Sequence, residues 1–123
     1  MKTKTYEAQA KLFNVLRHPA RLAMLDVLRA GEACVCHLEA ALGYRQAYIS
    51  QHLMVLREAG LVHDRREGLN IFYQVTESRV LAVLDAASGN SRFNTSAYPR
   101  SPVTKLENCP CPHCQPENLK VVC

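Results

Sequence analysis

The sequence predicts a mainly α (α+β) chain in which four helices are followed by a two-stranded β-hairpin and a last helix. Three observations carry that expectation. Apolar residues recur at helical spacing through residues 5–60, strand-forming residues flank a Gly turn across residues 61–75, and helical spacing returns over roughly residues 76–87. After Ser88-Gly89-Asn90-Ser91 the pattern dissolves, and five of the six prolines and four of the six cysteines lie from Tyr98 onward. Residues 1–87 are therefore expected to form one domain, and residues 88–123 a flexible Pro/Cys-rich tail.

Ala8, Leu12, Val15 and Leu16 fall on one face of a first helix. It should end near His18, because the residue before Pro19 is pushed out of the α region. Pro19 suits the first turn of a second helix, where a missing N–H costs nothing. Leu22, Leu25 and Leu28 form that helix's buried stripe, with Gly31 as its stop. Val35, Leu38 and Leu42 give a short third helix ended at Gly43, and Ile49, Leu53 and Leu56 anchor a fourth ended by Gly60. Two short helices joined by a tight glycine-containing turn are the sequence form of a helix-turn-helix. Leu61-Val62 and Ile71-Phe72-Tyr73 bracket Asp64-Arg65-Arg66-Glu67-Gly68, a hairpin with a Gly turn. Thr76 is expected to cap the last helix, whose Val80, Leu81, Val83 and Leu84 are more apolar than a small monomer needs. That surplus predicts a dimer surface shared with the first helix.

A chain of 123 residues suffices for one domain with a modest core. Its longest apolar runs are only a few residues, too short for a transmembrane span or a signal-peptide core. The expectation is a cytoplasmic protein with no membrane partner. In that reducing compartment, clustered cysteines point to metal binding or redox chemistry more than to structural disulfides. The net charge of +4 does not announce nucleic acid, since residues 1–87 hold 11 Lys/Arg against 9 Asp/Glu and the remainder 4 against 2. Placement of the charges must carry any such argument. No enzyme is expected: candidate acids and bases are scattered, no Gly-rich phosphate loop occurs, and no redox Cys-x-x-Cys sits on a βαβ frame.

On the fourth helix, Ile49, Leu53 and Leu56 cluster on one side, and Gln46, Ala47, Ser50, Gln51 and Met54 gather roughly opposite. Gln can bond both edge atoms of adenine, Ser is short and adaptable, and Ala can meet a thymine methyl. A merely solvated polar face would look the same. What tips the balance is the adjoining hairpin, where Arg65 and Arg66 beside a Gly turn put two cations within reach of phosphate.

Several motifs occur in one order: Val15-Leu16-Arg17-His18-Pro19-Ala20-Arg21-Leu22; Cys34-Val35-Cys36-His37-Leu38; Ile49-Ser50-Gln51-His52-Leu53 with Leu56-Arg57-Glu58-Ala59-Gly60-Leu61-Val62; and Arg65-Arg66-Glu67-Gly68 with Tyr73. Over about residues 5–87 the chain thereby resembles the ArsR/SmtB family of winged-helix, homodimeric, metal-responsive transcriptional repressors. The resemblance implies a winged helix-turn-helix whose fourth helix enters the major groove of double-stranded operator DNA. It also implies that effector binding releases that DNA. DNA contact carries over to Gln46, Ala47, Ser50, Gln51, Arg65 and Arg66. Arg45 and Tyr48 complete the candidate DNA-binding set, but they depart from the small polar residues common there, so no base preference is implied. His52 is expected to pack or bond locally.

Cys34 and Cys36 are two apart, and such positions do not face each other on a regular helix. One ion can take both only at an irregular helix start, which Gly31-Glu32 allows, or with ligands borrowed from elsewhere. A helix N-terminus also favours thiolate over thiol. Within the resemblance, the Cys-Val-Cys pair looks like the sensing site of arsenite, cadmium and lead responders. With no cysteine before Cys34, any third ligand is expected to come from the tail.

In the tail, Cys109-Pro110-Cys111-Pro112-His113-Cys114 gathers three thiols and an imidazole within six residues, a signal for soft ions. Its prolines predict an exposed loop. Candidate metal ligands are thus Cys34, Cys36, Cys109, Cys111 and Cys114, for As(III), Cd(II) or Pb(II), with Zn(II) also open. The tail either completes the Cys34/Cys36 site, in its own subunit or in its dimer partner, or holds zinc separately as a four-ligand knot. The last-helix zinc or nickel site known in the family is not expected, because no His occurs between His63 and His113 and Asp85 lacks suitable partners. A repressor released by a thiophilic ion, arsenite foremost, is the leading expectation. A redox- or haem-responsive thiol switch (the Cys-Pro pairs resemble haem-regulatory motifs) and a metal-buffering protein are the alternatives.

Overall fold

The computed structural model of the chain describes residues 3–88 together with Cys109 and Cys114. Among these residues the elements run α1 (Thr3–Leu16), α2 (Pro19–Leu28), β1 (Ala33–Cys34), α3 (Val35–Leu42), α4 (Gln46–Glu58), β2 (Val62–Glu67), β3 (Asn70–Val75) and α5 (Arg79–Ser88). The α-rich order matches expectation, with one addition. Ala33 and Cys34 pair with Tyr73 and Phe72, so the hairpin belongs to a three-stranded antiparallel sheet in the order β1-β3-β2. The β2–β3 register runs from Val62↔Val75 to Glu67↔Asn70 and leaves Gly68-Leu69 as the turn.

Local chemistry sets the helix ends. His18 is extended (φ −92°, ψ 123°) ahead of Pro19, and its carbonyl accepts the first α2 bond from the Leu22 N–H at 3.1 Å. Gly43 closes α3 in the left-handed region (φ 77°), donating its N–H to the Glu39 carbonyl at 2.8 Å. At the end of α4, Gly60 (φ 78°) donates to Arg57 and Leu61 donates to Leu56, both at 3.0 Å. That is the Schellman pattern, with buried Leu61 and Leu56 supplying its apolar contact.

The expected cap on the last helix is not made. The Thr76 N–H and hydroxyl donate to the carbonyls of Leu61 and Gly60, each at 3.0 Å, which ties the hairpin's exit to the end of α4. Helix α5 starts later, at Arg79, whose backbone N–H donates to Glu77 Oε1 at 3.2 Å. That Glu77 carboxylate is held below its ordinary pKa by hydrogen bonds from Arg79.

Helix α2 is the centre of the core and packs against α1, α3, α4 and α5. Its Met24, Leu25 and Leu28 meet Leu38, Ile49, Leu53, Leu56, Val80 and Leu84 in one buried cluster. Burial of each large apolar side chain contributes about 1.5–3 kcal/mol. Arg29 joins α2 to α5 through Asp85 at 2.8 Å, with Asp26 also on the guanidinium at 3.1 Å. Toward the outside, Leu12, Val15, Leu81 and Val83 are only half-buried, and Tyr6 and Phe13 on α1 remain 58% and 57% exposed. The α1/α5 surface expected for dimerisation is thus apolar and uncovered in one protomer. No helix among the described residues is long and apolar enough to cross a membrane.

Candidate nucleic-acid interface and thiol site

Ile49, Leu53 and Leu56 are fully buried, and this turns the other face of α4 outward. Arg45, Gln46, Ala47, Tyr48, Ser50 and Gln51 are all exposed, as is Met54. Arg45 is extended at the N-cap, and the first turn holds no acidic residue, so the positive end of the helix dipole is open to phosphate. Glu58 sits at the far end. Every α4 residue of the expected DNA-contact set is thus exposed to solvent.

His52 lies on the inner flank of α4, packed and bonded locally as expected. It is 7% exposed, and its Nδ1 accepts from Arg21 Nε at 3.0 Å. Burial, with Arg21 and His18 nearby, lowers its pKa below the ordinary value. Tyr48 stands edge-on to the His52 ring at 4.5 Å and 5.2 Å from the Tyr44 ring. Tyr48 therefore anchors the start of α4 as well as facing solvent.

In the wing, Arg65 and Arg66 are both exposed, but they are neighbours on one strand and so point to opposite faces. Arg65 pairs in register with Phe72, and its guanidinium lies over that ring at 5.4 Å. Its fork is clasped by Glu32, with Nε 3.0 Å from Oε2 and Nη2 on Oε1, and Nη2 also donates to Glu67 at 3.0 Å. Those hydrogen bonds raise its pKa further above the ordinary value. The two cations expected beside the Gly turn are thus both exposed but not equivalent. Arg66 faces outward opposite Ile71, while Arg65 is engaged by two carboxylates that phosphate would have to displace.

The thiols meet at the start of α3. Cys34 is its N-cap (φ −87°, ψ 170°) and is fully buried, while Cys36 is half-buried in the first turn. Cys34 packs with Phe72, Cys109 and Cys114, and Cys36 and Ala40 lie against that cluster. Cys109 is 0% and Cys114 6% exposed, so at these two positions the expected exposed loop is instead buried. A thiol is apolar enough to pack as a small hydrophobe. None of the four described cysteines is in a disulfide. Cys111 lies outside the described residues.

A further candidate donor lies on α3 and not in the tail, where any third ligand is expected from the sequence. His37 is 4% exposed, and its Nδ1 lies 3.2 Å from Cys114 Sγ. The donor atoms of His37, Cys109 and Cys114 all lie within 4.8 Å of one another. The spacing of Cys34 and His37, one helical turn apart, was the available signal. The pair singled out from sequence, Cys34 and Cys36, borders this triad.

Comparison with known proteins follows the same division. A family model described as bacterial regulatory protein, arsR family, matches residues 18–64. The biofilm growth-associated repressor of Agrobacterium fabrum is 47% identical over 77 residues, spanning 63% of this chain and 66% of that protein. The crystal structure of NolR from Sinorhizobium fredii superposes with a TM-score of 0.67 at 32% identity, over 76% of this chain and 91% of that one. A homodimeric winged helix-turn-helix DNA-binding domain from Mycobacterium bovis, described as a possible ArsR-family regulator, gives 0.66 at 25% identity, over 81% and 93%.

Proposed function

From the premise that this chain belongs to the arsR family of bacterial regulatory proteins and is a transcriptional repressor of the ArsR/SmtB type, we propose that a thiophilic ion frees it from its operator. The repressor acts as a homodimer. Its α4 helices enter successive major grooves of double-stranded DNA, about 34 Å apart. Gln46, Ala47, Ser50 and Gln51 meet base edges, Arg45 and Tyr48 flank them, and Arg66 with Arg65 meets phosphate.

The observation that carries the reading is the seat of the thiols. Cys34 and Cys36 open α3, and the other end of α3 turns through Gly43 directly into α4. An ion drawn to Cys34 and Cys36, with Cys109 and Cys114 packed beside them, pulls on α3 and hence on the reader. Coupling of only ~1–3 kcal/mol lowers DNA affinity about 5- to 150-fold. Arsenite, cadmium and lead are the candidate effectors from the Cys-Val-Cys resemblance, and zinc also suits the donors.

The experiment is an operator-binding titration with each ion under reducing conditions. Cys34→Ser with Cys36→Ser should bind DNA normally and ignore the ion; a normal response from that variant refutes the assignment. A thiol–disulfide switch is the second reading, favoured by the burial of Cys34, Cys109 and Cys114 in one cluster. Release by peroxide with no release by metal would select it.

A further inference from the structure

We propose that this chain builds a mixed thiolate–imidazole site in which His37 joins Cys109 and Cys114, with Cys34 as the fourth donor. Such a site takes a tetrahedral divalent ion of the zinc or cadmium class in preference to arsenite. The inference rests on the ion-sensing reading above and narrows it to a ligand set and an ion class.

Geometry comes first. Three donor atoms from buried side chains lie within 4.8 Å of one another, and one pair, His37 Nδ1 and Cys114 Sγ, is already at 3.2 Å. A tetrahedral ion with bonds of about 2.0 Å to nitrogen and 2.3 Å to sulfur holds its donors roughly 3.5–3.8 Å apart. The triad therefore needs to contract by about an ångström at its widest, within the reach of side-chain rotation. Cys34 packs in the same cluster as both tail thiols. It is also the N-cap of α3, whose first turn carries His37.

Chemistry then selects the ion. The set comprises three thiols and one imidazole, the closed four-ligand arrangement typical of zinc. On binding, three thiol protons pass to solvent, and three thiolates with a neutral imidazole around a divalent ion leave a net charge of −1. Arsenite takes three sulfurs and gives the imidazole nothing to bind.

The topology supplies the consequence. Cys109 lies 72 positions beyond His37, so the ion staples a distant segment onto the start of α3. Cys34 is also paired in register with Phe72, whose ring lies beneath Arg65. Ion capture is thereby transmitted to the wing strand as well as to α3.

The test is cobalt(II) titration of the reduced full-length chain, followed by competition with Zn(II), Cd(II) and arsenite. Expected are the intense visible bands and sulfur-to-cobalt charge transfer of a tetrahedral site, with three sulfurs and one nitrogen in X-ray absorption of the cadmium form. His37→Gln should weaken Zn(II) and Cd(II) binding roughly 100-fold or more, one ligand's share of a four-ligand site, and Cys109→Ser with Cys114→Ser, which removes two ligands, should weaken it further still. Far-UV circular dichroism and operator binding without metal verify folding. The tail pair keeps the test open if His37→Gln does not fold. Wild-type metal affinity in both variants, or arsenite displacing cadmium at equal concentration, overturns the proposal and leaves the ion-sensing reading standing. A three-sulfur, one-nitrogen site that forms without changing operator affinity in the same samples supports the site and refutes the sensing reading.

Discussion

Arg65 in the wing is clasped by Glu32, the residue immediately before the strand that carries Cys34, through both prongs of its guanidinium. A phosphate that uses Arg65 must displace that carboxylate. Glu32→Gln should therefore raise operator affinity roughly two- to fivefold at low salt, the size of an exposed ion pair, with the gain shrinking as salt screens it. Fluorescence anisotropy measures this. The gain should vanish in Glu32→Gln with Arg65→Ala, and an unchanged or weaker single variant means Arg65 does not meet DNA.

Arg66 faces out from the opposite side of the same strand, and among the described residues no carboxylate clasps it as Glu32 clasps Arg65. Arg66→Ala should weaken binding to specific and random duplexes alike and reduce the salt slope by about 1. A loss confined to the specific duplex would make Arg66 a base reader.

Gln51 belongs to the outward face of α4, away from the buried Ile49/Leu53/Leu56 stripe. Gln51→Ala should cost about 1–3 kcal/mol of discrimination between the preferred and a mismatched duplex while leaving the thermal midpoint unchanged. Equal loss on both duplexes would demote it to a backbone contact.

Gly60 stands at φ 78°, and a methyl group there would meet nothing within 4 Å. The cost of Gly60→Ala is therefore conformational and not steric, about 1–2 kcal/mol for a left-handed L-residue. It should lower the urea midpoint without changing the slope. No shift would show that the end of α4 unwinds freely.

Burial, with Arg21 and His18 nearby, holds the His52 pKa below the ordinary 6.5 in the fold. Between the folded value and that of the unfolded chain, the unfolded state binds more protons, and stability rises with pH. Above the unfolded value this contribution is level. Acidification below about pH 6.5 should then destabilise the native chain, and His52→Gln, which keeps an acceptor for Arg21, should flatten that slope. An identical pH profile in the variant would place the acid sensitivity elsewhere.

Much of this architecture was legible because it is local. The period of Ile49, Leu53 and Leu56 dictates which face of α4 turns outward, and Pro19, Gly43 and Gly60 mark helix ends through backbone sterics alone. What escaped the sequence depends on pairing across distance. Strand β1 is two residues long and exists only because β3 offers Phe72 and Tyr73 to pair with. The Thr76 hydroxyl suits a cap, yet it donates to the Gly60 carbonyl instead. Glu32 and Arg65 are 33 residues apart, and His37 and Cys114 are 77 apart. No spacing rule connects them. The tail cysteines read as exposed because prolines surround them, whereas burial of Cys109 and Cys114 follows from the apolar floor of Cys34 and Phe72.

Operator binding by the reduced protein, with and without saturating ion, is the most direct check on the claim that ion capture at these thiols loosens DNA. The duplex is one that the ion-free protein selects from a random pool, and Cd(II), Zn(II) and arsenite are titrated in parallel by anisotropy. At least one ion is expected to lower affinity about 5- to 150-fold, reversibly on chelation. Equal affinity with and without every ion, at concentrations that fill the site, would contradict it.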